Sequence, residues 1–469
     1  RAFSSSEQVV METGEATAPS LPPSWRQALL FFTYVVSMFG VNSASAVYPA
    51  IEAEHLLDAA TITRIIGIQT AGTAFGKVFA GPVADALGGR KTYLLSVSLL
   101  GAAVFLVSLS SVPITIGTFA FLMEFVNTPV WPAHARIVKG WYHPDRVSDA
   151  FWLLGIGSRG GNLLCSLVYG SLLSAGMRWR WVLRVACFSC VIGGFISRLH
   201  SDTPSKKDSP GLDRVDVKEM VRRGMLVLKH RHFWAAASSL AFATVTKRMG
   251  QVVPLYLSTT TALREGEATS VSVVFQLGLL MSVGIPGYFY GRSTSDGRKI
   301  KMLLGLNMLS AGSAFVLFLV SAATPVATST GDITLRSILL FLIAFGIGCS
   351  YYIPCGIFSV KFGGDKFTGA VSSFMDMVSW MFASIFITVM MPWMIDGMGW
   401  PSVWAIIALT SAICSFTTWK FTTLLYADGA ISALKDIKED IKEETYYVPL
   451  MAIHKTFPNA PSDADNNAE

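Results

Sequence analysis

Six ionisable side chains sit inside long apolar stretches of this sequence: Lys77, Glu124, Arg159, the adjacent Lys247 and Arg248, and Asp376. A charge at the middle of a bilayer costs at least about 3 kcal/mol on insertion scales, so such residues pair with one another or bind something. Their depths agree. At 1.5 Å of helix rise per residue, Lys77 lies about 12 Å from Asp85, Arg159 about 19 Å from Arg146, and Lys247 and Arg248 about 20 Å from Phe233. By the same rise Glu124 lies about 18 Å from Arg136 and Asp376 about 14 Å from Phe367, against a midplane at about 15 Å. Cations outnumber carboxylates at this level, which favours an anion held by charge-assisted hydrogen bonds in a low-dielectric site. Glu124 and Asp376 are candidates to couple binding to a proton or another cation. Otherwise they neutralise the cations as internal ion-pair partners.

The elements that must carry these charges are membrane helices. With 52% hydrophobic residues, 14% charged residues and a mean hydropathy of +0.49, the 469-residue chain is too apolar for an ordinary soluble domain. Twelve apolar segments of spanning length begin near Ala28, Ile62, Tyr93, Thr115, Val147 and Trp181, and again near Phe233, Ser270, Met302, Ser337, Phe367 and Ser402. The expected fold is an all-α membrane protein of twelve transmembrane helices in two pseudo-symmetric six-helix bundles. Its expected parts are an N-terminal cytosolic segment (1–24), a first bundle (25–199), a charged central loop (200–232), a second bundle (233–425) and a cytosolic tail (426–469). Lys and Arg concentrate in alternate loops, which places both termini on the cytosolic side of a plasma or organelle membrane. Arg178, Arg180 and Arg184 depart from that count. Interleaved with Trp179 and Trp181, they read as interfacial anchors.

Other functions find little support. The net charge of +6 is spread over short loops and forms no nucleic-acid-binding patch. The six cysteines (Cys165, Cys187, Cys190, Cys349, Cys355, Cys414) lie in apolar spans and read as packing residues, since Cys187 and Cys190 have no second pair to complete a metal site. No nucleophile, nucleotide or metal motif is present, so neither an enzyme nor a cofactor is expected. Arg1 to Ser6 reads as an edge or the remnant of a targeting peptide. Residues 435–444 alternate charge like a short solvated helix, and 458–469 are polar like a disordered end.

Between the second and third apolar segments runs Gly81-Pro82-Val83-Ala84-Asp85-Ala86-Leu87-Gly88-Gly89-Arg90-Lys91, which resembles the loop signature of the major facilitator superfamily. Gly291 to Lys299 is a weaker echo at the equivalent place in the second half. The resemblance implies a cavity between the halves near the bilayer midplane, alternating access to it, and a conformational latch at Gly81, Asp85 and Arg90.

A narrower resemblance is to the organophosphate:phosphate antiporters, the glycerol-3-phosphate and hexose-phosphate transporters. Lys77 matches an intramembrane lysine of that family's cavity, Trp131-Pro132 with Arg136 resembles its fourth-span element, and Asn127 stands at its polar amide. Arg198 with Asp202-Thr203-Pro204, Gly284-Ile285-Pro286-Gly287 with Asp296, and Arg248-Met249-Gly250 before Pro254 follow in the family's order. The resemblance implies exchange of an organic phosphate for inorganic phosphate, with Lys77, Arg159, Lys247, Arg248 and Asn127 as binding residues. One family arginine is missing. Its first-span position falls in Phe39 to Ser43, so a two-arginine clamp is not available in the usual form. Lys247 is expected to take the place of the seventh-span arginine or Arg159 to supply the lost charge. Proton- or cation-coupled transport of another solute and a non-transporting sensor are the alternatives. Gly155, Gly157, Gly160 and Gly161 are expected to let a neighbouring helix approach closely, and Pro286 to bend the eighth span.

Overall fold

The computed structural model describes residues 24–142, 147–200, 228 and 231–426, and their regular elements are helical. The N-terminal segment, nearly all of the central loop and the C-terminal tail lie outside the described residues, and so do the expectations for 435–444 and 458–469. The first pass is Ser24–Ala53 and the second Ala59–Leu87. The third is Gly89–Leu109, the fifth Val147–Ser174 and the sixth Trp179–Leu199. In the second half, Glu265–Arg292, Asp296–Ala323 and Trp400–Tyr426 are the eighth, ninth and twelfth passes. Several helices begin earlier than hydropathy places them, because polar residues cap them. The Asp58 carboxylate accepts the Thr61 amide at 2.6 Å, and the Ser329 hydroxyl accepts the Asp332 amide at 3.0 Å.

The tenth and eleventh passes lie within one run of helical backbone, Thr330–Ile385, where the sequence suggests a loop near Lys361 and Lys366. The chain nevertheless reverses there. Phe341 and Gly348 pack along the eighth pass in ascending order, at Gly278 and Ser282, whereas Ser379 and Phe382 ascend along the seventh, at Ala237 and Phe242. The seventh and eighth passes run in opposite directions through a short turn, so the windows Thr330–Tyr352 and Val371–Met398 do too.

Three passes are interrupted at mid-depth. The first breaks at Asn42, the fourth between Pro113–Asn127 and Val130–Trp141, and the seventh at a tight turn, Met249–Gln251, before Pro254. Irregular backbone at such depth is tolerated where it is buried in protein or lines a cavity. The outward surface is apolar, with Phe188, Phe195 and Trp393 bare on it, as lipid contact requires. Trp179 corrects the anchoring expectation: it is fully buried and donates its indole N–H to Glu54 at 2.9 Å, leaving Trp181 as the exposed ring. Cys190 packs on Gly40 and Gly101.

The end of the bundle that carries Asp85 and Arg136, the basic end, differs from the opposite, far end. At the far end the two halves touch through glycines. A Cβ on Gly170 would lie 2.7 Å from the Ser270 amide nitrogen, and one on Gly67 would lie 2.6 Å from that of Thr388, within a π-helical turn, Phe386–Met390. The Ser384 hydroxyl donates to the Gly67 carbonyl at 2.8 Å. Toward the basic end, Gly81, Gly155 and Gly284 have nothing within 4 Å of a Cβ. Among the described residues the far end is shut and the basic end open. At the far end buried Arg336 ties three passes of the second half together, donating to the Thr260 carbonyl at 3.2 Å and to the Thr324 carbonyl, where the seventh and ninth helices end.

Candidate functional site

All six mid-depth charges line one cavity of about 820 Å³, and Asn127 lines it with them. It opens between the first six passes and the last six. The second pass brings Thr70, Thr73 and Lys77 to one face because they are spaced by three and four residues. The fourth brings Glu124 and Asn127 just before its break, and the seventh brings Lys247, Arg248 and Gln251 at its tight turn.

Two ion pairs cross the cavity. Arg248 donates to Glu124 Oε1 at 2.7 Å, with both side chains less than a tenth exposed, and its Nε donates to the Thr70 hydroxyl at 2.9 Å. Glu124 also accepts from Thr73 at 2.9 Å and from Gln251 at 3.2 Å. The Lys77 ammonium lies 2.7 Å from Asp376, both 23% exposed. Each pair joins the first half to the second. Their charges cancel.

Lys247 and Arg159 remain. Among the described residues neither has a carboxylate within ion-pair distance; each lies over aromatic rings instead. Lys247 Nζ is 4.5 Å from the ring centre of Tyr351 and 4.4 Å from that of Trp380, and the Arg159 guanidinium is 4.8 Å from that of Tyr352. A ring face steadies a cation without cancelling its charge. The cavity therefore keeps a net positive field from these two groups.

Asn42 lies in the Phe39 to Ser43 stretch of the first pass, where an arginine of the resembled antiporters has no counterpart. It donates to Asn162 at 2.7 Å and accepts from Gln251 at 3.3 Å, so an amide network stands there. Arg159 lies one turn before Asn162 on the fifth pass. In the seventh pass the cation without an acid is Lys247, not Arg248.

The latch residues separate from the cavity. Asp85 bonds Arg136 at 2.7 Å, and Arg136 also donates to the Ala84 carbonyl at 3.1 Å, tying the second pass to the fourth at the basic end. Gly88 ends the second helix at φ 82°, a conformation that favours glycine. A Cβ on Gly89 would lie 2.7 Å from the Ala133 carbonyl oxygen. Arg90 follows in the third pass, and Gly81 faces open space. The fifth-pass glycines divide: Gly157 and Gly161 lie against the first pass, while Gly155 and Gly160 face open space. The eighth helix continues through Pro286.

Sequence reasoning missed the hydrogen-bonding shell of Thr70, Thr73 and Gln251. It was signalled by polar residues at helical spacing from Lys77 and Arg248. It also missed the aromatic walls. Tyr34, Trp131 and Phe151 come from the first half and Tyr351, Tyr352 and Trp380 from the second, and aromatic residues in apolar spans carry no sign of which face they take.

The Major Facilitator Superfamily model matches residues 30–385. The quinolone resistance protein NorB of Staphylococcus aureus (strain JH9) is 25% identical over 182 residues, which is 39% of this chain and 39% of that relative. The chain thus aligns with well under half of the relative's length. Among solved structures, a POT family transporter in complex with 5-aminolevulinic acid superposes with a TM-score of 0.68 at 14% identity, covering 87% of this chain and 97% of that one. A D-xylose-proton symporter gives 0.67 at 13% identity, covering 85% and 98%. At such identities these likenesses are of fold alone.

Proposed function

This chain belongs to the major facilitator superfamily of membrane transporters, and on that premise we propose that it carries a small organic anion, a phosphate ester first among candidates, by alternating access, with inorganic phosphate as the returning ion. The observation that carries this reading is the pair Lys247 and Arg159, cations inside the cavity with no carboxylate partner among the described residues. An entering anion meets an uncompensated field and gains charge-assisted hydrogen bonds. The basic end faces the cytosol by the distribution of Lys and Arg, so the open cavity is a cytosol-facing state.

The ion pairs supply a route from binding to movement. Glu124 and Arg248, like Lys77 and Asp376, bridge the halves, so an anion that draws Arg248 or Lys77 away loosens a tie across the cavity. The same geometry favours a second reading, in which protonation of Glu124 or Asp376 does the loosening and the carrier is proton-coupled. The staphylococcal relative named for quinolone resistance matches over 39% of each chain, so its name carries no substrate to this one.

The test is uptake of labelled phosphate into liposomes that hold the purified protein and unlabelled phosphate, with glycerol phosphate, hexose phosphates and carboxylates as competitors. Exchange that an organic phosphate inhibits, and that Lys247→Gln lowers at least about tenfold by loss of one charged hydrogen bond, supports the proposal. Absence of exchange in folded protein refutes the phosphate form. Uptake driven by a pH gradient and abolished by Glu124→Gln favours the second reading.

A further inference from the structure

We infer that the cavity selects anions that carry a planar aromatic ring, an inference that rests on the anion reading above and narrows its substrate class. Its walls set the argument. On the first-half side Trp131 packs edge-on to Tyr34, with ring centres 5.8 Å apart, and lies 5.6 Å from Phe151, yet remains 39% exposed and lines the cavity. On the second-half side Tyr351 and Tyr352 meet edge-on at 4.6 Å, and Trp380 lies beneath both Lys247 and Arg248. The two unpaired cations thus sit among ring faces. An anionic head at Lys247 and Arg159 would leave the body of the ligand among these aromatic residues, where the exposed Trp131 ring offers a flat ligand ring a stacking surface.

Buried polar atoms indicate what the ring bears. Asn127, Gln251, Gln276, Tyr352 and Trp380 line the cavity, and each has a buried polar atom with no hydrogen-bond partner among the described residues: the three amide oxygens, the Tyr352 hydroxyl and the Trp380 indole nitrogen. The orientation of Gln251 is fixed, because its Nε2 donates to both Glu124 and Asn42. Its oxygen can therefore only accept. An orphaned buried acceptor costs free energy until a ligand donates to it, so a ring with an O–H or N–H substituent fits where a bare phosphate does not.

The experiment separates ring from head. Phenyl phosphate and glycerol phosphate share a head, while 4-hydroxybenzoate and benzoate share a ring and carboxylate and differ in one donor. Binding to the purified protein is read by competition and by thermal stabilisation. Phenyl phosphate is expected to bind about two- to tenfold more tightly than glycerol phosphate from stacking alone, and 4-hydroxybenzoate more tightly than benzoate. The ring preference should fall toward unity in Trp131→Leu, whose exposed ring makes it tolerant of replacement, and in Trp380→Leu where that variant folds. Glycerol phosphate binding as tightly as phenyl phosphate overturns the inference and leaves the anion reading standing. Failure of all four anions to bind overturns both.

Discussion

Replacing Gly67 by alanine is expected to drive the carrier out of the state seen here. The added Cβ would stand 2.6 Å from the Thr388 amide nitrogen and 2.8 Å from its Cα, main-chain atoms that no rotamer change can move. Overpacking of this kind costs about 1–3 kcal/mol. The cost falls only on the conformation in which the second and eleventh passes touch at the far end, so the balance between states shifts by about 5- to 140-fold toward an open far end. The gain in helix propensity from glycine to alanine is common to both states and cancels. Gly284→Ala makes the opposite case. A Cβ there has nothing within 4 Å, but the antiparallel register that sets Gly170 against Ser270, continued toward the basic end, brings Gly155 opposite Gly284 and Ile285. Closure of the basic end would crowd that position, so Gly284→Ala favours the present state. A single cysteine at Ser372, which lines the cavity, reports the balance by its reaction with an impermeant maleimide added from one side of the membrane or the other. Gly67→Ala should raise labelling from the far side and lower it from the basic side; Gly284→Ala should do the reverse. Shifts of the same sign in both variants, or none in Gly67→Ala, would refute the reasoning.

The two ion pairs should differ in energetic weight. Glu124→Ala strands the buried Arg248 with Thr70 as its remaining hydrogen-bond partner and is expected to cost about 3–5 kcal/mol of stability, whereas Asp376→Ala, at a partly exposed pair, costs about 1 kcal/mol or less; equal losses in unfolding measurements would contradict the assignment of burial. At the basic end, His200 contacts the Thr33 hydroxyl at 3.2 Å, and His134 contacts it at 3.0 Å. Burial, with the nearby charges of His134 and Arg90, pushes His200 down to about 3. The folded protein therefore binds fewer protons than the unfolded chain, whose histidine titrates near about 6.5. Stability from this group is complete above that pH and is lost as pH falls toward 3. His200→Phe should flatten the change in unfolding temperature between pH 7 and pH 5, and an unchanged slope would exclude His200 as its source.

Much of this arrangement was legible because membranes penalise charge. Lys77, Glu124, Arg159, Lys247, Arg248 and Asp376 stand out in apolar sequence, and depth from helix rise brought them to one level, where the fold gathers them into one cavity. Pairing was not legible. It depends on which faces of the second and eleventh, and of the fourth and seventh, passes oppose each other across the halves. A single sequence holds no such distances. Gly88 and Gly89 could be read as a turn, but the partner of Asp85 proved to be Arg136, a residue known from sequence only as the end of another motif. Trp179 misled for the opposite reason: a tryptophan among arginines looks interfacial, and only the position of Glu54 shows that it is buried. Arg336 drew no attention because it lies near the start of its span. There, terminal carbonyls of two other helices accept from its two terminal nitrogens.

The most direct test of anion binding at Lys247 and Arg159 is thermal unfolding of the purified protein against matched anionic, neutral and cationic solutes of one size. A ligand at 100 times its dissociation constant stabilises the folded state by about 2.7 kcal/mol, enough to read as a shift in unfolding temperature. Stabilisation by anions alone, abolished in the Lys247→Gln, Arg159→Gln double variant, is the predicted result. Stabilisation by neutral or cationic solutes with none from anions would contradict the account.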